Sequence, residues 1–330
     1  VNKYKGSKAY YKRDGNALVS TFAGENVGND RWDALKKATG DIIIVPGFEK
    51  AKPTENFFDG RSSVDGVFNW NSWLPTSEGK GIVSTKDDQT FQTAATNAKK
   101  LFMMGISPVQ AKHLEKSQNW YRRGEDNLEY RFGQALAMQP DMLQLQTWND
   151  AGEGHYMGNL WPEPMTVSPK IQNIVANREH TGYKEVLGPF IAAWRRGDRN
   201  TDNMVPTNGK DIQGTFWHHT LTVGATCGTT ELPKSGDVTN VAEDAVSGII
   251  LVAPGKTGLI GVVNVGNKEL GKITLKPGYN KFKFGGLTPG KVQVEVWRGS
   301  NMVGGGYGKL EVKDSDSVCN YAFQVVGFPG

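Results

Sequence analysis

The chain has 330 residues, 22% of them charged, and a net charge of +4 with Lys and Arg scattered along its length. That length allows one large domain or two ordinary ones, and the weak, dispersed charge argues against a nucleic-acid partner. Apolar runs such as residues 42–45 are far too short to cross a bilayer, and no charged-then-apolar leader opens the chain.

The first two-thirds alternates strands with helices. Residues 18–22 read as a short strand ending in Ala23, Gly24 and Glu25, and an amphipathic segment over 30–38 follows. Residues 41–48 are nearly all apolar and close on Pro46 and Gly47, as a strand buried on both faces does. Further strands are expected over 66–73, 101–107 and 143–148, with helices over 88–100, 128–138 and 183–196. This rhythm implies a parallel sheet with helices outside. Five strands suit either an open doubly wound sheet or part of a (β/α)₈ barrel. No strand–helix turn carries the phosphate-cradling glycines of a nucleotide fold, which favours the barrel. On that reading the chain begins partway round, with three βα units, about 90–120 residues, upstream of Val1.

From about residue 213 the texture changes. Short alternating runs over 247–253, 258–265, 271–275, 280–284 and 292–298 are broken by Pro-Gly pairs and Asn, a β-sandwich pattern. The expected organisation is therefore the C-terminal part of a barrel over 1–205 and a β-sandwich over 213–330. Cys227 and Cys319 stand near the two ends of the second region. They are either a disulfide, closing a loop worth roughly 4–5 kcal/mol in the chain-entropy model, or two buried thiols.

The most informative segment lies where the strand over 143–148 runs out. Asn149, Asp150, Glu153, His155 and Tyr156 crowd into one turn, at the strand end where barrels present reacting groups. Asp150 and Glu153 suit an acid/base pair, although a capping turn uses the same residues.

Trp148-Asn149-Asp150-Ala151-Gly152-Glu153-Gly154-His155-Tyr156 resembles the signature of fungal α-1,3-glucanases called mutanases, glycoside hydrolase family 71. Val19-Ser20-Thr21-Phe22, Ile44-Val45-Pro46-Gly47-Phe48, Asp65-Gly66-Val67-Phe68-Asn69-Trp70 and Trp120-Tyr121-Arg122-Arg123-Gly124-Glu125-Asp126 agree in order and spacing. So does Tyr156-Met157-Gly158-Asn159-Leu160-Trp161, so the resemblance covers nearly the whole chain. It implies a secreted enzyme with a (β/α)₈ barrel followed by a β-sandwich, hydrolysing α-1,3-glucan with inversion and without a cofactor. Two positions depart from the family pattern. Ala23 stands where an acidic residue usually follows the Ser-Thr-Phe strand, and Gly154 replaces a common serine.

Inverting hydrolysis needs a protonated carboxyl and an ionised one about 6.5–9.5 Å apart. Glu153 is taken as the acid and Asp150 as the base. Glu125 or Asp126, following Arg122-Arg123-Gly124, is an alternative base held ionised by a guanidinium, or else a helix cap. Asn149, His155 and Tyr156 are expected to contact sugar, as are Glu25 and Asp65. Trp70, Trp73, Trp148 and Trp161 serve either as stacking platforms or as core. His218 and His219 lack the context of a metal site and read as structural, so no metal is expected. A glucan-binding protein without turnover is the second reading, and a monomer suffices for either.

Overall fold

The computed structural model describes residues 1–228 and 232–329, which form two compact units. The first comprises Val1–Ser72, Ser84–Ile106 and Met138–Leu145; the second comprises Trp73–Val83, Ser107–Ala137 and Gln146 onward.

Five parallel strands build the first unit: Asn16–Val19, Ile42–Ile44, Gly66–Asn69, Leu101–Ile106 and Met142–Leu145. A parallel bridge from Gly47 to Phe68 joins the first two to the other three. The strands lie side by side in chain order. A doubly wound sheet would reverse direction of winding at its switch point, so this sheet is instead a curled half-barrel. Each strand foreseen from the apolar pattern is present, and the helices Asn29–Thr39 and Lys86–Asn97 fall between strands as expected. Burial on both faces explains the continuous apolar runs: every residue of Gly66–Asn69 is buried. Val45, Phe68, Met103 and Met142 pack as one cluster with Leu18, Trp70 and Leu101.

The strand before the signature is shorter than its alternation suggests. It stops at Leu145, not at residue 148, and the Gln146–Thr147 peptide is cis. Thr147 donates its N–H to His155 O and accepts from Met157 N, both at 2.8 Å, so its hydrogen bonds go to the following loop.

In the second unit a hairpin, Gln110–Glu115 with Gln118–Arg122, precedes the helix Asn127–Met138. The helix Lys184–Arg196 ends where Gly197 turns left-handed at φ 79°. From Ile212 the chain is almost entirely β. One sheet orders Leu221–Cys227, Asn301–Asp316, Gly290–Arg298, Leu259–Val265 and Lys268–Leu275. The other orders Gly278–Gly285, Ala245–Val252, Ile212–His219 and Phe323–Phe328. Alternate residues of both sheets, including Phe216, Ile250, Val263, Val294 and Phe328, share one apolar core. Cys227 and Cys319 are disulfide-bonded with their Cα atoms 5.4 Å apart, which settles that alternative.

Candidate active site

The loop after Leu145 folds back on itself, and its geometry follows from where its polar groups find partners. Asp150 N–H donates to Thr147 Oγ1 at 3.0 Å, and Asp150 Oδ1 accepts Glu153 N–H at 3.0 Å. These bonds turn the chain so that Asp150, Glu153 and His155 point at one place. His155 Nε2 lies 3.3 Å from Asp150 Oδ2 and 3.8 Å from Glu153 Oε2. The His155 ring is fully buried, while the two carboxylates are partly open, at 37% and 26% side-chain exposure.

Four residues outside the signature complete the cluster. Gln110 Nε2 donates to Glu153 Oε2, and Lys112 Nζ donates to Glu153 Oε1 at 3.2 Å. Ala111 N–H donates to Glu153 O at 2.9 Å and fastens the hairpin to the loop. Gly154 adopts φ +72°, where a Cβ would stand 2.8 Å from Ala111 O, so a glycine here permits that approach. Trp73 packs behind the imidazole at 5.5 Å between ring centroids and donates Nε1–H to Pro108 O at 2.7 Å.

Charge is distributed unequally over this cluster. Burial pushes the Asp150 carboxyl up, but the His155 bond and charge, Glu153 N–H and Lys112 outweigh it. The carboxyl is held below the usual Asp range. Asp150, Glu153 and His155 offer one ligand atom each, all within 4.8 Å of one another, a set of the size that holds a metal. Lys112 already supplies positive charge to Glu153 in that cluster.

The same 4.8 Å bound corrects the expected spacing. Oxygens of the two carboxylates lie closer than the about 6.5–9.5 Å of an inverting pair, because the Asp150–Glu153 turn draws them together.

The sequence matches the description "Glycosyl hydrolase family 71" over residues 1–329. The chain belongs to that family. A relative named as a mutanase, from Penicillium rubens, is 29% identical over 98% of this chain and 69% of its own length. Schizosaccharomyces pombe glucan endo-1,3-alpha-glucosidase agn1 is 31% identical over 58% of this chain and 45% of its own. The ascus wall endo-1,3-alpha-glucanase of the same yeast is 25% identical over 93% and 72% respectively.

Other candidates from the sequence of this family 71 protein are placed differently. Glu125 is buried: Oε1 accepts from Tyr121 Oη–H and Glu243 N–H, and Oε2 accepts from Gly124 N–H. Asp126 pairs with Arg123 at 3.0 Å and Lys283 at 2.9 Å. Both carboxylates thus belong to an internal ion network, which corrects their expected role as a base. Tyr156 is fully buried, stacked on His180 at 3.9 Å with its hydroxyl bonded to Arg178 O, so it supports the loop and does not face sugar. Trp73, 5% exposed, is likewise a wall and not a platform.

Six candidates lie in the first unit or on open surface. Asp65 accepts Ile44 N–H and Lys36 Nζ, both at 2.7 Å, which makes it a fastening of the sheet and not a sugar contact. Trp70 packs edge-on against Phe22 at 4.7 Å and Phe68 at 6.0 Å. Glu25 accepts Lys50 N–H at 2.5 Å. Asn149 is exposed, and Trp148 and Trp161 are more than half exposed, as stacking would require.

Gln110 and Lys112 were not foreseen from the sequence: they lie about forty residues before Glu153 and reach it only through the hairpin.

Two expected results follow from this geometry. His155→Gln removes the imidazole whose bond holds Asp150 down, so the acidic limb of a kcat/KM–pH profile moves to higher pH. An unmoved limb would exclude Asp150 as the group that titrates there. Gly158→Ala places a Cβ about 2.4 Å from the Trp148 indole and must displace it. If Trp148 stacks on substrate, KM rises about 2- to 10-fold with a smaller change in kcat, measured by steady-state kinetics on soluble oligosaccharides.

Proposed function

We propose that this protein hydrolyses α-1,3-glucosidic bonds in α-1,3-glucan, with Asp150 and Glu153 as the working carboxylates. The observation that carries the proposal is their convergence with His155 in the signature loop, in a chain whose named relatives act on 1,3-α-glucan. Asp150, held below the usual Asp range by its neighbours, suits the base, which leaves Glu153 as the acid that protonates the leaving oxygen. Trp148 and Trp161 would receive pyranose faces, and Asn149 a hydroxyl.

The proposed whole enzyme has a (β/α)₈ barrel, to which residues 1–205 contribute, and a β-sandwich over 213–330. The half-barrel sheet and the two sheets that share one core support this reading. Secretion is part of the proposal, supported by the disulfide, a bond that persists in oxidising compartments.

The test is hydrolysis of insoluble α-1,3-glucan with the anomer of fresh product read by NMR. β-Anomeric oligosaccharides support inversion, as the family resemblance implies. α-Anomeric product would recast Asp150 or Glu153 as a nucleophile, in line with the short spacing of the pair. No product from a folded protein that still binds the glucan would replace hydrolysis with binding.

A further inference from the structure

The second unit contains a groove of about 250 Å³ that shares no residue with the Asp150 cluster. One wall is the segment that carries Glu179, Thr181 and Glu185; the other carries Tyr307 and Lys309 on the long strand Asn301–Asp316. Its floor is flat because Gly182 and Gly327 meet closely. A Cβ on Gly182 would lie 2.5 Å from Gly327 N, and one on Gly327 would lie 2.9 Å from Gly182 Cα.

We propose that this groove is a second binding site for a neutral glucan chain, separate from the site of hydrolysis. The inference rests on the substrate class given under Proposed function. Tyr307 is half exposed, yet its ring is not free to swing: its hydroxyl donates to Glu295 Oε1 at 3.0 Å. Glu295 Oε2 accepts Trp297 Nε1–H at 3.1 Å, so a single carboxylate braces two aromatic side chains. A fixed, exposed phenol ring is a platform for the apolar face of a pyranose.

The charges of the groove select against other ligands. Glu179 and Glu185 repel anions, and the ammonium of Lys309 is paired with Glu179 at 3.2 Å. Thr181 and the carboxylate edges offer hydrogen bonds that an apolar ligand would leave unmade. A polyhydroxylated, uncharged chain satisfies both conditions. Such a site would hold the enzyme on an insoluble polymer while the catalytic loop engages one strand of it.

The experiment uses the full chain carrying Asp150→Asn, so that the polymer is not consumed. Its partition onto insoluble α-1,3-glucan is compared with that of the same chain also carrying Tyr307→Ala or Glu179→Ala. Both side chains are at least half exposed, so neither change threatens the fold. The expected result is a loss of binding of roughly 2- to 10-fold for Tyr307→Ala, the range of one aromatic contact, and a smaller loss for Glu179→Ala. In the Asp150-containing enzyme, the ratio of turnover on insoluble glucan to turnover on a soluble α-1,3-oligosaccharide falls with Tyr307→Ala. Unchanged partition and an unchanged ratio would overturn the groove while leaving the proposed hydrolysis intact. Absence of hydrolysis with wild-type loops, but binding lost on Tyr307→Ala, would overturn the hydrolysis reading and keep the groove.

Discussion

Asp150→Asn is expected to lower kcat on α-1,3-glucan by about 10²–10⁴-fold, the usual contribution of a positioned acid or base. The substitution is informative because it is nearly isosteric. Asn retains the carbonyl oxygen that accepts Glu153 N–H, and the backbone bond to Thr147 Oγ1 is untouched, so the turn should persist. What disappears is the charge opposite His155. Wild-type circular dichroism and a cooperative unfolding transition would show that the loss is chemical and not structural. The wild-type pH dependence supplies an internal check. A carboxyl held below the usual Asp range is still ionised at pH values where an ordinary Asp has taken up its proton. The acidic limb of kcat/KM should therefore lie below the normal Asp range. The same sign governs stability: the Asp150 contribution is complete above the unfolded-state Asp range and is lost as pH falls through the depressed folded value. Wild-type rates in Asp150→Asn would remove Asp150 from the mechanism altogether.

The sheet was legible because burial on both faces leaves an apolar signature that a single sequence carries. The apolar runs within residues 41–48 and 66–73 read as interior strands, as Ile42–Ile44 and Gly66–Asn69 are, and their order in the sheet follows the chain. The strand ends were less legible. Leu143 to Trp148 alternates as a strand should, yet the ladder stops at Leu145, because Thr147 pairs with His155 and Met157 instead. That choice is tertiary, set by a loop closing on itself, and alternation cannot reveal it. The catalytic candidates divide on the same principle. Asp150, Glu153 and His155 lie within six residues, so one local turn suffices to gather them. Lys112 and Gln110 reach Glu153 from about forty residues away through a hairpin, a pairing no local pattern specifies. Burial was the decisive unknown for the aromatic candidates. Trp73, Tyr156 and Trp148 look alike in sequence, and only packing separates the two buried rings from the exposed one.

Arg123→Met is expected to cost about 3–5 kcal/mol of stability, the range for breaking a buried ion pair from one side, with little effect on turnover per folded molecule. Arg123 is 3% exposed and stands between Glu125, Asp126 and Glu243, while Lys283 bridges the latter two at 2.9 and 2.7 Å. With the guanidinium removed, three carboxylates face one ammonium. Glu125, 2% exposed, then keeps only the neutral donors Tyr121 Oη–H, Gly124 N–H and Glu243 N–H. Its charge is left inside the protein without a close cation, which is the expensive outcome; the methionine itself fits the space that the arginine stem occupied. Urea unfolding followed by tryptophan fluorescence would read the loss as a shift in midpoint. Glu125→Gln is the companion that separates structure from chemistry. It keeps the shape and removes the buried charge, so a structural Glu125 predicts retained hydrolysis with altered stability, whereas a catalytic Glu125 predicts lost hydrolysis in a protein that still unfolds cooperatively. Three hydrogen bonds and the Arg123 guanidinium hold its two oxygens inside the protein, and that geometry is why retained hydrolysis is the expected result.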